Sequence, residues 1–114
     1  MSDRGFEFVM MEEAKTFVLG LQESARKKVL YNVQRIASGE QNAELFKKLE
    51  GTEIWEFRTL FNGIHYRLFA FWDTESNTLV IATHGIIKKT QKTPKKELSK
   101  AIELRKRYFE SKKK

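Results

Sequence analysis

Three successive segments with the character of β-strands, joined by short turns, limit most strongly what this chain can fold into. They lie at residues 54–60, 64–72 and 78–83. Aromatic and branched aliphatic side chains dominate all three, as is typical of strands. Asn62-Gly63 joins the first two, and both residues tolerate the positive φ of a two-residue hairpin turn. With a second turn at residues 73–77, the pattern predicts a three-stranded antiparallel meander.

Helical periodicity precedes this meander. Apolar residues recur every three or four positions over residues 14–21 and again over residues 29–37, which is the pattern of two amphipathic helices. Ser24 is a candidate N-cap of the second helix, and Gly39 suits the position just beyond its end. Alternating apolar residues at 6–10 indicate a short first strand. We therefore expect a strand followed by a helical hairpin.

A third helix is expected after the meander, beyond a basic loop at residues 86–92. Thr93 and Pro94 suit the N-cap and the first position of this helix. Its predicted packing face consists of Leu98, Ala101, Ile102 and Phe109.

The predicted order of elements is β-α-α-β-β-β-α, with residues 41–49 fitting either a helical turn or a loop. This is an α+β fold with a twisted, mainly antiparallel sheet and the helical hairpin packed on one face. Residues 1–114 form one domain, and we expect the basic tail to fray from about residue 110.

Positive charge is concentrated towards the C-terminal end. The net charge is +7, but residues 1–50 are balanced and residues 51–85 are slightly acidic. Residues 86–114, in contrast, carry twelve Lys or Arg against three Glu. So uneven a field attracts phosphate backbones or acidic protein surfaces.

Composition excludes several classes of protein. The chain has no Cys and two His, which argues against a disulfide scaffold, a thiolate metal site and a His-rich metal cluster. It has no apolar run of the roughly 18 residues that a membrane helix needs, and its acidic, interrupted N-terminal segment is unlike a secretory signal. We expect a cytoplasmic protein with no metal, no cofactor and no membrane association.

Two arginines on neighbouring strands form the first candidate site. Strand alternation places Glu56 and Arg58 on one face of the first meander strand, and His65 and Arg67 on one face of the second. We expect this face to be open to solvent, where two arginines repel unless an anion or carboxylate lies between them. The pattern fits an anion site with Glu56 as the best-placed general base. It also fits a solvated Arg–Glu–Arg network in which Glu56 is the internal partner.

A lysine-rich segment after the third strand forms the second candidate site. Its lysines are Lys88, Lys89, Lys92, Lys95 and Lys96. A helix start adds backbone N–H groups and the positive end of a dipole, so the segment suits anions, although a lysine run is also compatible with a solvated loop. If it folds over Arg58 and Arg67, the two basic groups form one concave site. Lys47 and Lys48 would extend its rim.

His84, at the end of the third strand, is a candidate general acid or base because the ordinary pKa of His is near neutral. A structural role for a single histidine fits the sequence as well. His65 is the weaker candidate of the two histidines.

Residues 44–109 resemble the phage-derived, HigB-like branch of the RelE/ParE toxin superfamily. The most specific pieces are WEFR, YRLFAF and HGIIKKTQKTPKKE, in that order and spacing. The resemblance implies a type II toxin–antitoxin toxin, namely a ribosome-associated endoribonuclease that cuts mRNA without a metal or cofactor. The 2′-hydroxyl attacks the neighbouring phosphate while basic groups stabilise the developing charge. The implied partners are mRNA, the ribosome and a HigA-like helix-turn-helix antitoxin.

The resemblance also implies roles for individual residues. Arg58 occupies a position where relatives carry a basic catalytic residue, and Arg67 matches the arginine of a recurrent Tyr-Arg pair, which we assign to the scissile phosphate. Lys88 and Lys89 fall near a basic group that relatives carry after the last strand. Glu56 stands where RelE proteins have a lysine.

The loop after Gly85 lacks the tyrosine of some relatives, and His84 is the candidate to replace it as the acid or base.

Two alternative functions remain compatible with the sequence. A ParE-like toxin has the same fold but inhibits DNA gyrase through a protein contact and has no nuclease activity. A phage-encoded regulator would bind nucleic acid through the basic helix without catalysis. The clustered basic residues favour the nuclease, because a gyrase inhibitor needs no phosphate clamp.

Overall fold

The structure, a computed structural model, describes residues 5–75, 79–88 and 92–113. Eight elements follow one another in these residues: β1 (Glu7–Met10), α1 (Glu12–Leu19), α2 (Glu23–Ala37), β2 (Phe46–Lys48), β3 (Trp55–Phe61), β4 (Ile64–Trp72), β5 (Leu79–Lys88) and α3 (Lys95–Lys112). None of the helices in the described residues is both long and apolar enough to cross a bilayer.

The strands form one five-stranded sheet in the order β1-β5-β4-β3-β2. β3, β4 and β5 make the predicted antiparallel meander, and β1 pairs with β5 in parallel. The α+β class and the mainly antiparallel sheet are thereby confirmed. The tight turn at Asn62-Gly63 is confirmed too, with φ of 52° and 75°, and it sets the register in which Arg58 lies opposite Arg67.

Helices cover both faces of the sheet. α1 and α2 pack on one face, around a core that includes Val29, Val33, Phe57 and Leu68. α3 packs on the other, where Ala101 is buried with three apolar strand residues, Phe69, Phe71 and Ile81. The expectation that the face with Glu56 and Arg67 is open was therefore wrong. The alternative of a solvated Arg–Glu–Arg network was wrong only about solvation, because the side chains of Glu56 and Arg67 are 2% exposed.

A β-bulge in β5 decides which way its C-terminal half faces. Ala82 pairs with Ala70 but His84 pairs with Phe69, so Thr83 is an extra residue in β5. Ala82 packs beneath the helical hairpin, and uninterrupted alternation would have turned His84 and Lys88 to that side as well. The bulge instead turns both residues to the face that α3 covers.

Four local expectations need correction. Residues 41–49 contain a single helical turn, in which the Asn42 carbonyl accepts from the amides of Leu45 and Phe46, but this turn leads into the short strand β2, which was not expected. β5 continues to Lys88, so the predicted loop at residues 86–92 begins as strand.

The other two corrections concern helices. α2 begins at Glu23 after Gln22, so Ser24 is not its N-cap. Ile102 is 46% exposed and does not belong to the packing face of α3, whose partly buried residues include Leu98 and Phe109.

The ends of α3 also differ from expectation. The helix begins at Lys95 after Pro94, and the Thr93 hydroxyl binds Glu56 instead of capping the helix. At the other end, α3 continues to Lys112, beyond the residue where we expected fraying. Lys112 holds this end by donating to Asp73 at 2.7 Å and contacting Glu75 at 2.8 Å.

Candidate functional site

The candidate site is built around a buried carboxylate between two arginines. Arg58 and Arg67 are direct cross-strand partners on β3 and β4. Oε1 of Glu56 lies 3.6 Å from Nε of Arg58 and 3.5 Å from Nε of Arg67. The Thr93 hydroxyl donates to Oε2 of Glu56 at 2.7 Å. Glu56 is thus the internal partner of both arginines, and the segment before α3 is tied to it.

Lys88 joins this group from β5. Its side chain is 7% exposed, and Nζ has no hydrogen-bond acceptor among the residues that the structure describes. Burial lowers the pKa of Lys88, and the charge of Arg67 lowers it further, while Glu56 acts in the opposite direction. Burial also lowers the pKa of Arg67. We call Glu56, Arg58, Arg67 and Lys88 the arginine cluster.

Among the described residues, the arginine cluster buries more positive than negative charge, because Arg67 and Lys88 are both buried beside the one carboxylate of Glu56. A buried charge without a matched partner costs several kcal/mol, on the order of 3–5 when one partner of a buried pair is missing. An anion that enters the cluster would remove this cost. The arrangement therefore has the chemistry of an anion site.

A cavity of about 450 Å³ gives solvent a route to the cluster. Arg58 and Arg67 form part of its wall, together with Lys28, Asn32 and Arg35 of α2 and the C-terminal half of β3. Its charged lining residues are Lys28, Arg35, Arg58, Arg67 and Glu44. Four cations and one carboxylate among the described residues line the cavity. Glu40 and Glu56 offset part of this charge behind the lining, so the cavity keeps a smaller positive excess, and its low-dielectric walls strengthen the attraction for phosphate.

His65 also lines this cavity, although we expected it to be the weaker candidate of the two histidines. Burial lowers its pKa, and the charges of Arg67, Lys88 and Arg58 lower it further. The imidazole is therefore neutral at neutral pH and can accept a proton. The signal was present in the sequence, since His65 stands two residues before Arg67 on the same strand face.

His84 lies elsewhere, in the interface between β5 and α3. Its Nε2 is 3.1 Å from Glu97 and its Nδ1 is 3.0 Å from Thr83, and the ring stacks on Phe69. Burial lowers its pKa, with Glu97 acting in the opposite direction. The structure does not bring His84 to the cavity, and both of its ring nitrogens have partners.

The other predicted lysines that the structure describes lie at the surface. Lys47 lies opposite Glu56 on β2, while Lys48 is 3.9 Å from Glu53. Lys92, Lys95 and Lys96 are exposed on the segment before α3 and on its first turn. Lys89 lies outside the described residues.

The fold is similar to that of RelE toxins. The isolated Escherichia coli RelE toxin superposes with a TM-score of 0.55 at 19% identity, over 87% of this chain and 97% of that one. A chain of the intact E. coli RelBE toxin–antitoxin complex gives 0.52 at 18% identity, over 77% and 100%. The archaeal RelE–RelB complex from Pyrococcus horikoshii OT3 gives 0.53 at 14% identity, over 76% and 98%. Similarity at these identities establishes the fold.

A family model also matches the sequence. Residues 16–106 match the family described as phage-derived protein Gp49-like (DUF891). No curated protein matches the chain in sequence.

Proposed function

This chain belongs to the phage-derived Gp49-like family and has a RelE-like toxin fold, and we propose that it is the toxin of a type II toxin–antitoxin system that cleaves mRNA. The observation that carries this proposal is the excess of buried positive charge in the arginine cluster, next to an open electropositive cavity. A phosphodiester of RNA supplies the missing negative charge. During cleavage, negative charge increases on the oxygens of this phosphate. The same cations therefore bind the transition state more tightly than the substrate.

In the proposed reaction, the 2′-hydroxyl of one nucleotide attacks the adjacent phosphorus. The O2′–P bond forms, the P–O5′ bond breaks, and the products are a 2′,3′-cyclic phosphate and a 5′-hydroxyl. Arg58 and Arg67 hold the non-bridging oxygens and stabilise the pentacoordinate intermediate. The protein needs only to bind the phosphate and to move two protons.

His65 and Lys88 are the groups best suited to move those protons. Neutral His65 takes the proton of the attacking hydroxyl, and Lys88, whose pKa is lowered, gives a proton to the leaving 5′-oxygen. Glu56 is occupied by both arginines and by Thr93, so we assign it the positioning of the arginines rather than the role of general base. His84 receives no part in proton transfer because of its position in the α3 interface.

The exposed lysines fit RNA that runs along the surface away from the cut. The exposed Lys47, Lys48, Lys92, Lys95 and Lys96 are the proposed phosphate contacts. Lys89 is proposed as a further contact from its place in the sequence. Contacts of this kind carry no sequence information and weaken as salt concentration rises. They also fit work on the ribosome in the cytoplasm, where rRNA phosphates surround the mRNA.

The proposed inhibitor is an antitoxin. Two of the structural relatives are components of toxin–antitoxin complexes, which supports a protein partner for this chain. We propose a HigA-like helix-turn-helix antitoxin that blocks the basic cavity. Because the cavity is electropositive, an antitoxin segment that covers it should be acidic.

Induced expression in a bacterial host without the partner gene tests the function. Wild-type protein should arrest growth and fragment translated mRNA. Arg58→Ala should relieve both effects, and the surface control Arg107→Ala should not, since Arg107 pairs with Glu103 on the exposed side of α3. Growth arrest with intact mRNA would favour the gyrase inhibitor. Normal growth with soluble wild-type protein would contradict the toxin proposal.

A further inference from the structure

One side of α2 continues the basic cavity beyond the arginine cluster. Lys28, Asn32 and Arg35 line the cavity and follow one another at helical spacing, so they share a face of α2. The same cavity contains Arg58 and Arg67. A continuous basic surface therefore leads from the proposed cleavage site across the end of β3 onto α2.

Asn32 presents an unsatisfied polar group in the wall of this cavity. The side chain is 5% exposed, and Nδ2 donates to the Thr59 hydroxyl at 3.1 Å. Oδ1 has no hydrogen-bond partner among the described residues. A hydroxyl can donate as well as accept, so either orientation of the amide leaves one polar atom unpaired. Buried polar atoms are rarely left unpaired, and a ligand is one way to satisfy them.

Tyr31 provides an exposed aromatic surface beside these residues. Its side chain is 60% exposed, with Lys28 Nζ 5.7 Å and Arg35 Cζ 5.8 Å from the ring centroid. Arg35 is held in place by Glu40, at 2.9 Å and 2.6 Å. Glu40 is positioned by the turn that ends α2, in which the amides of Gly39 and Glu40 bind the carbonyls of Ile36 and Arg35.

We propose that this side of α2 is a second nucleotide subsite, which binds the single-stranded RNA next to the nucleotide that is cut. The base stacks on Tyr31, its hydrogen-bonding edge meets Asn32, and the phosphate lies between Lys28 and Arg35. Exposed aromatic rings flanked by cations are the usual platform for unpaired bases. The inference rests on the proposed function and adds to it a part of the substrate that the arginine cluster does not reach.

Fluorescence polarisation with a labelled 2′-fluoro oligoadenylate of about eight nucleotides tests the subsite. This RNA analogue lacks the attacking hydroxyl, so binding is measured without cleavage. Tyr31→Ala should weaken binding about 10-fold, whereas Tyr31→Phe should stay within about 2-fold of wild type. Lys28→Gln should lower the slope of log affinity against log salt by about one. Lys27→Gln is the matched control, since Lys27 is highly exposed and pairs with Glu23 outside the cavity.

The outcomes separate the subsite from the function on which it rests. If Arg58→Ala weakens binding but Tyr31→Ala and Lys28→Gln bind as wild type does, the subsite is wrong and the nuclease proposal stands. If Tyr31→Ala leaves RNA binding unchanged and instead weakens binding of the co-expressed antitoxin, this face docks protein and the subsite is again wrong. If wild type and Arg58→Ala bind equally poorly, both proposals fail.

Discussion

Arg58 and Arg67 face each other across β3 and β4, although like charges in this position repel each other. Glu56 contacts both guanidinium groups from the buried side of the pair. Lys88 is the third cation of the cluster. Among the described residues, the cluster contains no second carboxylate to pair with it. The positive charge that remains is what the proposed function uses, because an RNA phosphate can balance it.

Loss of Arg58 should reduce catalysis more than it reduces stability. The side chain is 19% exposed and lines the cavity, so Arg58→Ala removes a cation from the site while the core remains packed. Removal of one group that stabilises charge in a transition state costs about 10²–10³-fold in rate. The rate of mRNA cleavage in a coupled translation reaction measures the effect. Arg107→Ala should cleave at the wild-type rate, and an equal loss in both variants would argue against a specific role for Arg58.

Lys88→Met should make the protein more stable and less active. The substitution replaces a buried ammonium group, which has no hydrogen-bond acceptor in the part of the chain that the structure describes, with an apolar side chain of similar length. Replacement of buried charge by apolar groups raises the free energy of unfolding by about 1–3 kcal/mol in favourable cases. Urea denaturation and cleavage assays give the two readouts. The exposed control Lys106→Met should change neither, and a less stable Lys88→Met protein would show that the cation is balanced within the fold.

Cleavage should fall as the pH is lowered through the range where His65 becomes protonated. Burial and the three neighbouring cations hold the pKa of His65 below its ordinary value near 6.5, so the rate should be maximal at neutral pH and decline below about 6.5. His65→Gln should reduce the cleavage rate about 10²-fold, and the remaining rate should no longer decline as the pH falls. His84→Gln should keep the acid decline, because His84 lies in the α3 interface. If His84→Gln alone flattened the profile, the assignment of the two histidines would be reversed.

Acid should weaken, in a narrow pH range, the contacts by which Tyr108 and Lys112 of α3 bind Asp73. Lys112 and the Tyr108 hydroxyl hold the pKa of Asp73 at about 2, below its ordinary value of 3.8. The charged carboxylate therefore stabilises the fold above about pH 4, and this contribution disappears as the pH falls from about 4 to 2. Asp73→Asn should lower the free energy of unfolding by about 1–3 kcal/mol at neutral pH. The gap to wild type should close in that acid range, and a gap that stayed constant would contradict the argument.

The sequence was sufficient for much of the fold and for the grouping of Glu56, Arg58 and Arg67. The turn at Asn62-Gly63 fixed one hairpin register, and that register alone sets Arg58 opposite Arg67. Strand alternation then put Glu56 on the same face. These features depend on local geometry with a period of two residues, so they can be read from neighbouring positions.

Other parts of the site depend on contacts between distant segments. The bulge at Thr83 turns the side chain of Lys88 to the opposite face of the sheet, and no turn residue at this position predicts the bulge. The burial of Glu56 follows from the packing of α3, more than 35 residues along the chain, through Thr93. Lys28 and Asn32 were passed over because on α2 they read as the ordinary polar face of an amphipathic helix. Their common cavity with Arg67 exists only once the sheet and the helical hairpin are packed.

The ends of the mRNA fragments test the central claim most directly. After induction of the wild-type toxin, sequencing of fragment ends with and without removal of 2′,3′-cyclic phosphate should find that phosphate upstream of each cut and a 5′-hydroxyl downstream. Cells that make equal amounts of Arg58→Ala protein should lack these ends. Wild-type fragments with 3′-hydroxyl and 5′-phosphate ends, or arrested cells with intact mRNA, would contradict the account.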